Sequence, residues 1–372
     1  MSFSIYLHIP FCISKCPYCD FASIPLDQNL TEKYLSALLS EIKSFSGFKA
    51  DTIYLGGGTP TVLKLEQLDK IMRAVKKHYT LTRNCEITIE ANPNTLDEKK
   101  VAELKNIGFN RMSLGIQSFN DKELKGLGRI HTASQAIQSF NLLKKGGFKN
   151  IGLDLIFGIP EQTLNSWKSS LKKAIELSPQ HISTYSLTIE SETRFYQMEK
   201  EGKIKLPTDE KVRQMYLWAI DYLNLKGYKQ YEISNFSLPG FESKHNLNYW
   251  NHKEYLGFGT SAHSFYKNKR WGNVRGVREY VELMKKKGRA TEFEENLSRG
   301  QLITEAIFLG LRRIEGIDLK KFHKDFKVKL ENIRKDKITR LIKLGFLSKQ
   351  VNSLCLTKKA LPVADSIIVS LI

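Results

Sequence analysis

The sequence predicts an α/β fold. A parallel sheet wrapped by helices forms a partial barrel of six β/α units, followed by a smaller, mostly helical C-terminal domain. Three observations predict it. From Phe3 to about Ser191, strand-like apolar runs alternate with apolar stripes at helical spacing. Gly108, Gly146, Gly147 and Pro179 close the helical stretches. After about Glu192 the alternation fails. Six units are fewer than the eight of a full barrel, so the barrel is expected to be partial, with functional residues at the C-terminal ends of its strands. The domain boundary is placed near residue 235, giving 1–235 and 236–372.

The elements follow in order. SIYLHIP is the first strand. The helix after it carries Tyr34, Leu35, Leu38, Leu39, Ile42 and Phe45, with Thr31 as its expected N-cap. TIYLG is the second strand, followed by GGGTPT and a helix through Leu65, Leu68, Ile71, Met72 and Val75. EITIEAN, NRMSLGIQS, NIGLDLIFGIP and HISTYSLTIE are the next four strands, the first of them followed by a helix from about Asp97 to Gly108. Beyond them lie an amphipathic helix through Val212, Met215, Tyr216, Ala219, Ile220 and Leu223, a strand YKQYEIS, and a polar, aromatic stretch from Asn235 to Trp271. From about Leu297 the chain turns helical, with a hairpin around Phe346 to Leu356, a pattern that resembles a winged helix.

With 372 residues, 41% hydrophobic, the chain can bury a large core and does not read as disordered. No run approaches the roughly 18 apolar residues of a membrane span, and the N-terminus lacks the pattern of a signal peptide. A cytoplasmic location is expected. The net charge of +19 points to anionic ligands or an anionic membrane face. The basic residues are scattered, so nucleic acid is not expected as a partner. Two of the five cysteines, Cys85 and Cys355, sit beside apolar segments and read as packing residues.

The other three cluster as Cys12-x-x-x-Cys16-x-x-Cys19 just after the first strand. In a reducing compartment such a cluster indicates metal binding or catalysis rather than disulfides. A cubane takes four thiolates when saturated, so three leave one iron open to a ligand. The alternative is a zinc site completed by His8. A glycine-rich turn, Gly56-Gly57-Gly58-Thr59-Pro60-Thr61, follows the second strand and lets a polar ligand approach the backbone. Glu90 ends the third strand, and Gln117, Arg129 and Asp154 fall at or near later strand ends. Asp154 lies between Leu153 and Leu155 and needs a partner, for which Arg129 or a bound ligand is a candidate.

These residues together resemble the radical SAM superfamily. The resemblance implies a [4Fe–4S] cluster on Cys12, Cys16 and Cys19 whose open iron holds S-adenosylmethionine (SAM), with reductive cleavage to a 5′-deoxyadenosyl radical. Within the superfamily the chain resembles the branch of oxygen-independent coproporphyrinogen III oxidase (HemN), from Tyr6 to at least Phe265. That implies SAM contacts at Tyr6, Tyr18, Gly57, Gly58, Thr59, Glu90, Gln117, Arg129, Asp154, Thr188 and His263. The oxidase pattern carries a further cysteine where this chain has Phe21. In its place stands His245-Asn246-Leu247-Asn248-Tyr249-Trp250, an HNxxYW pattern similar to that of the branch's heme chaperones.

That resemblance implies heme as cargo, bound through His245, Asn246, Tyr249 and Trp250, with His252 and His263 as alternative ligands. The alternative reading of the segment is a packed aromatic loop. The implied partners are heme-accepting respiratory proteins, with peripheral membrane contact, in a chain that is a monomer or a dimer. The competing function is porphyrin metabolism proper, the radical decarboxylation of coproporphyrinogen III. Phe21 favours the carrier over the enzyme.

Overall fold

The computed structural model describes residues 2–372. All six expected strands form: β1 (Ser2–Ile9), β2 (Lys49–Gly57), β3 (Thr80–Ala91), β4 (Arg111–Gln117), β5 (Ile151–Phe157) and β6 (His181–Ser186). Each lies parallel to the next. Strand residues alternate between faces. One face carries Leu7, Ile53, Leu55, Ile87, Ile89, Leu153 and Ile182, all buried. The other carries Tyr54, Glu90, Arg111, Ser113, Asp154, His181 and Ser183, which line the hollow of the partial barrel. The sixth strand stops at Ser186, short of the expected Glu190.

The apolar face is covered by α1 (Gln28–Ser44), α2 (Leu65–His78), α3 (Glu98–Ile107), α4 (Ala133–Lys145) and α5 (Leu164–Leu177). Leu68, Ile71, Met72 and Val75 of α2 are buried, as their spacing requires. Asp97 caps α3, and Gly108 ends it at φ 113°. The cap of α1 differs from expectation. Asp27 takes the position, its carboxylate accepting from the Leu30 N–H at 2.9 Å. Thr31 is already inside the first turn, and its hydroxyl donates to the Asp27 carbonyl at 2.6 Å. Either residue can cap a helix; the chain turns in one turn earlier than the apolar stripe shows.

Helix α6 (Asp209–Leu225) packs on α5, where Trp167 Nε1 donates to the Met215 carbonyl at 3.0 Å. Beyond it, β7 (Asn235–Ser237) pairs antiparallel with β6. Helix α7 (Lys244–Trp250) then crosses to β8 (Tyr255–Phe258), which runs parallel to the far side of β1. Three antiparallel strands extend that edge: β9 (His263–Tyr266), β10 (Lys269–Asn273) and, after α8 (Val277–Lys287), β11 (Thr291–Asn296). The stretch from Asn235 to Trp271 is therefore ordered. Its strands are three to five residues long, too short for a period to show. With a two-residue strand, Lys229–Gln230, beside β7, one sheet of 12 strands results. Because β8 covers β1 and β7 covers β6, the barrel stays open.

A buried carboxylate fastens this extension to α1. Glu41 accepts from the Tyr280 hydroxyl at 2.6 Å, Asn273 Nδ2 at 2.6 Å and the Gly259 N–H at 2.7 Å. Burial raises its pKa, and these donors oppose the rise. The remaining chain forms α9 (Arg299–Gly310), β12 (Ile317–Asp318), α10 (Leu319–Phe326), α11 (Lys335–Lys343), β13 (Leu347–Lys349), β14 (Ser353–Leu356) and α12 (Ala364–Leu371). Its three strands stand in the order β12–β14–β13 and pair antiparallel. Among the described residues no helix is long and apolar enough to cross a membrane.

Candidate functional site

A cavity of about 390 Å³ opens at the C-terminal ends of the parallel strands. The loop after β1 brings Cys12, Cys16 and Cys19 to its wall, and Tyr18 beside them. This loop is held in place locally. Phe11–Cys12 pairs with Ile24–Pro25, and the Cys19 N–H donates to the Cys16 carbonyl at 3.1 Å. The glycine turn after β2 is stitched to the same loop: the Gly58 N–H donates to the Ile9 carbonyl and the Thr59 N–H to the Phe11 carbonyl, both at 2.8 Å.

Two of these glycines leave no room for a side chain. A Cβ on Gly58 would lie 2.7 Å from the Phe11 carbonyl oxygen. Gly57 has φ 108°, and its Cβ would lie 2.6 Å from the His8 ring. That ring is fixed, with Nδ1 bonded to the Tyr6 hydroxyl at 3.0 Å and Nε2 to the Ala22 carbonyl at 2.9 Å. His8 is thus unavailable as the fourth ligand of a zinc site. Among the described residues no three Cys, His, Asp or Glu side chains are close enough to share one metal ion. Three cysteines on one cavity wall with no fourth donor fit the corners of a cubane, whose thiolates stand farther apart than ligands of a single ion.

Polar groups point at the sulfurs. The Thr59 hydroxyl lies 3.6 Å from Cys12 Sγ, and Arg129 Nη1 lies 3.7 Å from Cys16 Sγ. Arg129 Nη2 also donates to Asn92 Oδ1 at 2.5 Å and to the Gly115 carbonyl at 2.8 Å. Burial raises the thiols of Cys12 and Cys19 above their ordinary range, so a metal centre must displace their protons.

Glu90 sits at the centre of the wall. Tyr54 donates to Oε1 at 2.7 Å and the Gly57 N–H to Oε2 at 3.2 Å. Burial pushes its pKa up to about 7; the Tyr54 hydroxyl opposes this, and Asp154 adds to it. Asp154 finds partners other than Arg129. Its oxygens accept from Ser113 at 2.9 Å and Ser183 at 2.6 Å, while Arg129 is held by Asn92 and Gly115. Ser183 sits opposite Asp154 on β6, and Ser113 lies on β4 one same-face position before Gly115, the residue opposite Asp154. Gln117 lines the cavity from a left-handed backbone position, φ 69°, at the end of β4. Thr188 lines it as well.

Other expected residues fall elsewhere. Tyr6 is not among the lining side chains; its hydroxyl is spent on His8. His263 lies outside the cavity, exposed on β9, because β8 to β11 extend the sheet away from the open strand ends. The HNxxYW segment is helix α7, and its side chains diverge. Asn246 reaches the cavity. His245 turns inward, with Nδ1 bonded to the Thr52 hydroxyl at 2.7 Å and Nε2 to the Tyr249 hydroxyl at 3.0 Å. Tyr249 faces a second cleft, and Trp250 lies beneath the Arg312 guanidinium. The four do not form one surface.

The cavity also gathers Asn92, Arg111, His181 and Ser183, which the strand-by-strand reading passed over. Arg111 is 2% exposed and its Nε has no hydrogen-bond partner; His181 Nδ1 likewise has none. A wall with unpaired polar atoms suits a polar ligand or ordered water. A signal was present, since Arg111 and His181 share the alternation phase of Ser113 and Ser183.

The chain is similar to known proteins over nearly its whole length. The family model of the radical SAM superfamily matches residues 6–174, and that of the HemN C-terminal domain matches residues 297–363. The chain is 39% identical to a protein of Lactococcus lactis subsp. lactis named heme chaperone HemW, over 98% of this chain and 96% of that one. It is 37% identical to the heme chaperone HemW of Bacillus subtilis, over 95% of each. Among solved structures, coproporphyrinogen III oxidase (HemN) from Escherichia coli superposes with a TM-score of 0.87 over 100% of this chain and 90% of that one. At 24% identity this likeness is one of fold.

Proposed function

The chain belongs to the HemW family of the radical SAM superfamily, and from that premise we propose that it is a heme chaperone. In this reading it holds a [4Fe–4S] cluster on Cys12, Cys16 and Cys19, binds SAM, and passes heme to acceptor proteins of respiration. The observation that carries the reading is a complete three-cysteine cavity that has Phe21 where the oxidase pattern has a further cysteine. Phe21 stands at the cavity rim, 64% exposed. When bound, a cluster held by Cys12, Cys16 and Cys19 would supply the electron for SAM chemistry and leave one iron without a protein ligand.

The chain's own residues do the rest. The Thr59 hydroxyl and the Arg129 guanidinium direct positive charge at the sulfurs of Cys12 and Cys16, which favours the reduced cluster. Gly57 and Gly58 give SAM an open backbone edge. Tyr6, Tyr18, Gln117, Asp154 and Thr188 complete the SAM set, Tyr6 through the His8 ring it fixes. Asn246 meets this cavity from α7, and Tyr249 reaches the second cleft, so α7 couples the SAM side to the heme side. The net charge of +19 supports peripheral contact with an anionic membrane face, where respiratory acceptors reside.

Glu90 is assigned to the SAM ribose, whose hydroxyls are donors. The ionised carboxylate accepts from both; the protonated acid does not. With a pKa near 7 in the free protein, raised by burial and by Asp154 and lowered by Tyr54, Gly57 and Arg111, Glu90 ionises across the neutral range. SAM affinity of the reconstituted protein is therefore expected to rise several-fold, on the order of 3 to 10, from pH 6 to 8. Glu90→Gln removes the dependence. Equilibrium dialysis at three pH values checks this, and a flat wild-type profile removes Glu90 from the ribose.

The function itself is tested by anaerobic heme titration of the reconstituted chain, followed by mixing with an apo b-type cytochrome. A single saturable heme site and transfer of the Soret signal to the acceptor are expected. Absence of saturable binding, together with SAM-dependent loss of carboxylate from coproporphyrinogen III, would hand the function to the decarboxylase.

A further inference from the structure

We propose that heme rests in a second cleft, separate from the cluster cavity, with His263 as its axial ligand. The inference rests on the chaperone reading and locates its cargo. The cleft lies between α7, strands β8 to β11 and α9, and encloses about 540 Å³, against about 390 Å³ for the cluster cavity. Both fall within the roughly 300–1,000 Å³ common for cofactor sites. Five aromatic rings line the cleft: Tyr249, Tyr255, Phe265, Phe293 and Phe308. Flat apolar walls of this kind suit a macrocycle.

The imidazoles decide the ligand. A heme iron needs a neutral ring nitrogen that is not already bonded. His245 offers none, since Thr52 and Tyr249 occupy both nitrogens. His252 lines the same cleft, but its outer nitrogen Nε2 is tied to Glu305 at 3.1 Å and its ring is stacked on Phe265, which leaves only Nδ1, the nitrogen next to its own backbone, to face a ligand. His263 is exposed, and among the described residues neither of its nitrogens makes a hydrogen bond. Partial burial and the Arg270 charge hold its pKa below the ordinary value, with the exposed Glu292 opposing. It is therefore neutral at pH 7, the form that ligates iron.

The sheet is built around this ring. His263, Gly272 and Phe293 stand opposite one another on three adjacent strands. A Cβ on Gly272 would lie 2.5 Å from the Phe293 ring and 3.3 Å from the His263 ring. Gly272 thus leaves the gap in which the two rings meet edge to face, with centroids 5.4 Å apart. Lys253 lines the cleft, is exposed, and has no ion pair among the described residues, so it can meet a heme carboxylate. Arg270 is held by Glu305. His245 becomes a positioning residue: it holds the hydroxyl of Tyr249, whose ring forms a wall of the cleft.

The test is anaerobic heme titration of the full reconstituted chain, read at the Soret band, for wild type, His263→Ala, His263→Cys and His245→Gln. His263→Ala is expected to weaken binding about tenfold or more. His263→Cys is expected to bind heme with a thiolate-type spectrum, which a merely structural role would not produce. His245→Gln keeps the wild-type imidazole spectrum, at whatever affinity. Wild-type binding left unchanged in affinity and spectrum by both His263 variants overturns the seat but leaves the chaperone reading standing. A wild type that binds no heme overturns the chaperone reading, and the seat with it.

Discussion

Alanine at Cys12, Cys16 or Cys19 is expected to abolish the broad cluster absorbance after anaerobic reconstitution, with iron and sulfide falling to background. In the proposed site each cysteine supplies one of three protein ligands, and among the described residues no fourth donor waits nearby. His8 is bonded at both ring nitrogens. With two thiolates left, half of the cubane's irons lack a protein ligand, and the cluster is lost to solvent. The fold should survive. All three side chains lie partly exposed at the cavity wall, and each is a small part of the apolar core. The apo variants should stay within about 1 kcal/mol of the wild type. Cys85→Ala and Cys355→Ala are the controls, both buried away from the cavity, and should retain the cluster. An intact cubane spectrum in all three cavity variants would sink the assignment.

Gly57→Ala should lose SAM binding and lower stability together. Two costs add. At φ 108° an L-residue is strained by roughly 1–2 kcal/mol. The new Cβ also meets the His8 ring at 2.6 Å. That ring cannot step aside without breaking its bonds to Tyr6 and the Ala22 carbonyl, each worth about 1 kcal/mol. The sum is about 3 kcal/mol. The Gly57 N–H also donates to Glu90, so the shift reaches the ribose site. Thermal unfolding and SAM dialysis read the two effects. A Tm within a degree of wild type with unaltered SAM affinity would mean that the turn is not the tight support described. Gly47 is the control, since a Cβ there meets nothing within 4 Å and only the φ of 88° is strained.

Much of the architecture was legible in the residues themselves. Six strands and their helices showed because each repeats its own period over many residues, as in Leu68, Ile71, Met72 and Val75 of α2. The short strands of the extension did not show. Tyr255–Phe258 joins β1 as a parallel neighbour, a pairing of segments some 250 residues apart that no local period encodes. Glu41, inside a helix read as apolar on one face, is buried because Tyr280, Asn273 and Gly259 come to meet it. Of the two partners open for Asp154, Arg129 and a bound ligand, the first is not the one it takes. The structure supplies Ser113 and Ser183 instead, since pairing follows strand register and not charge.

The sequence by itself determined the three-cysteine loop, the glycine turn and the acidic strand end. Each is a short contiguous motif whose residues stay together whatever the rest of the chain does. Only the tertiary structure decided which histidine is free. His245 reads as the better ligand within its HNxxYW segment, but Thr52, 193 residues earlier, occupies one nitrogen and Tyr249 the other. His263 stands unbonded above Gly272 in a different cleft. Availability for a ligand depends on which hydrogen bonds a group has already made. Those partners come from distant parts of the chain, so only the fold brings them together.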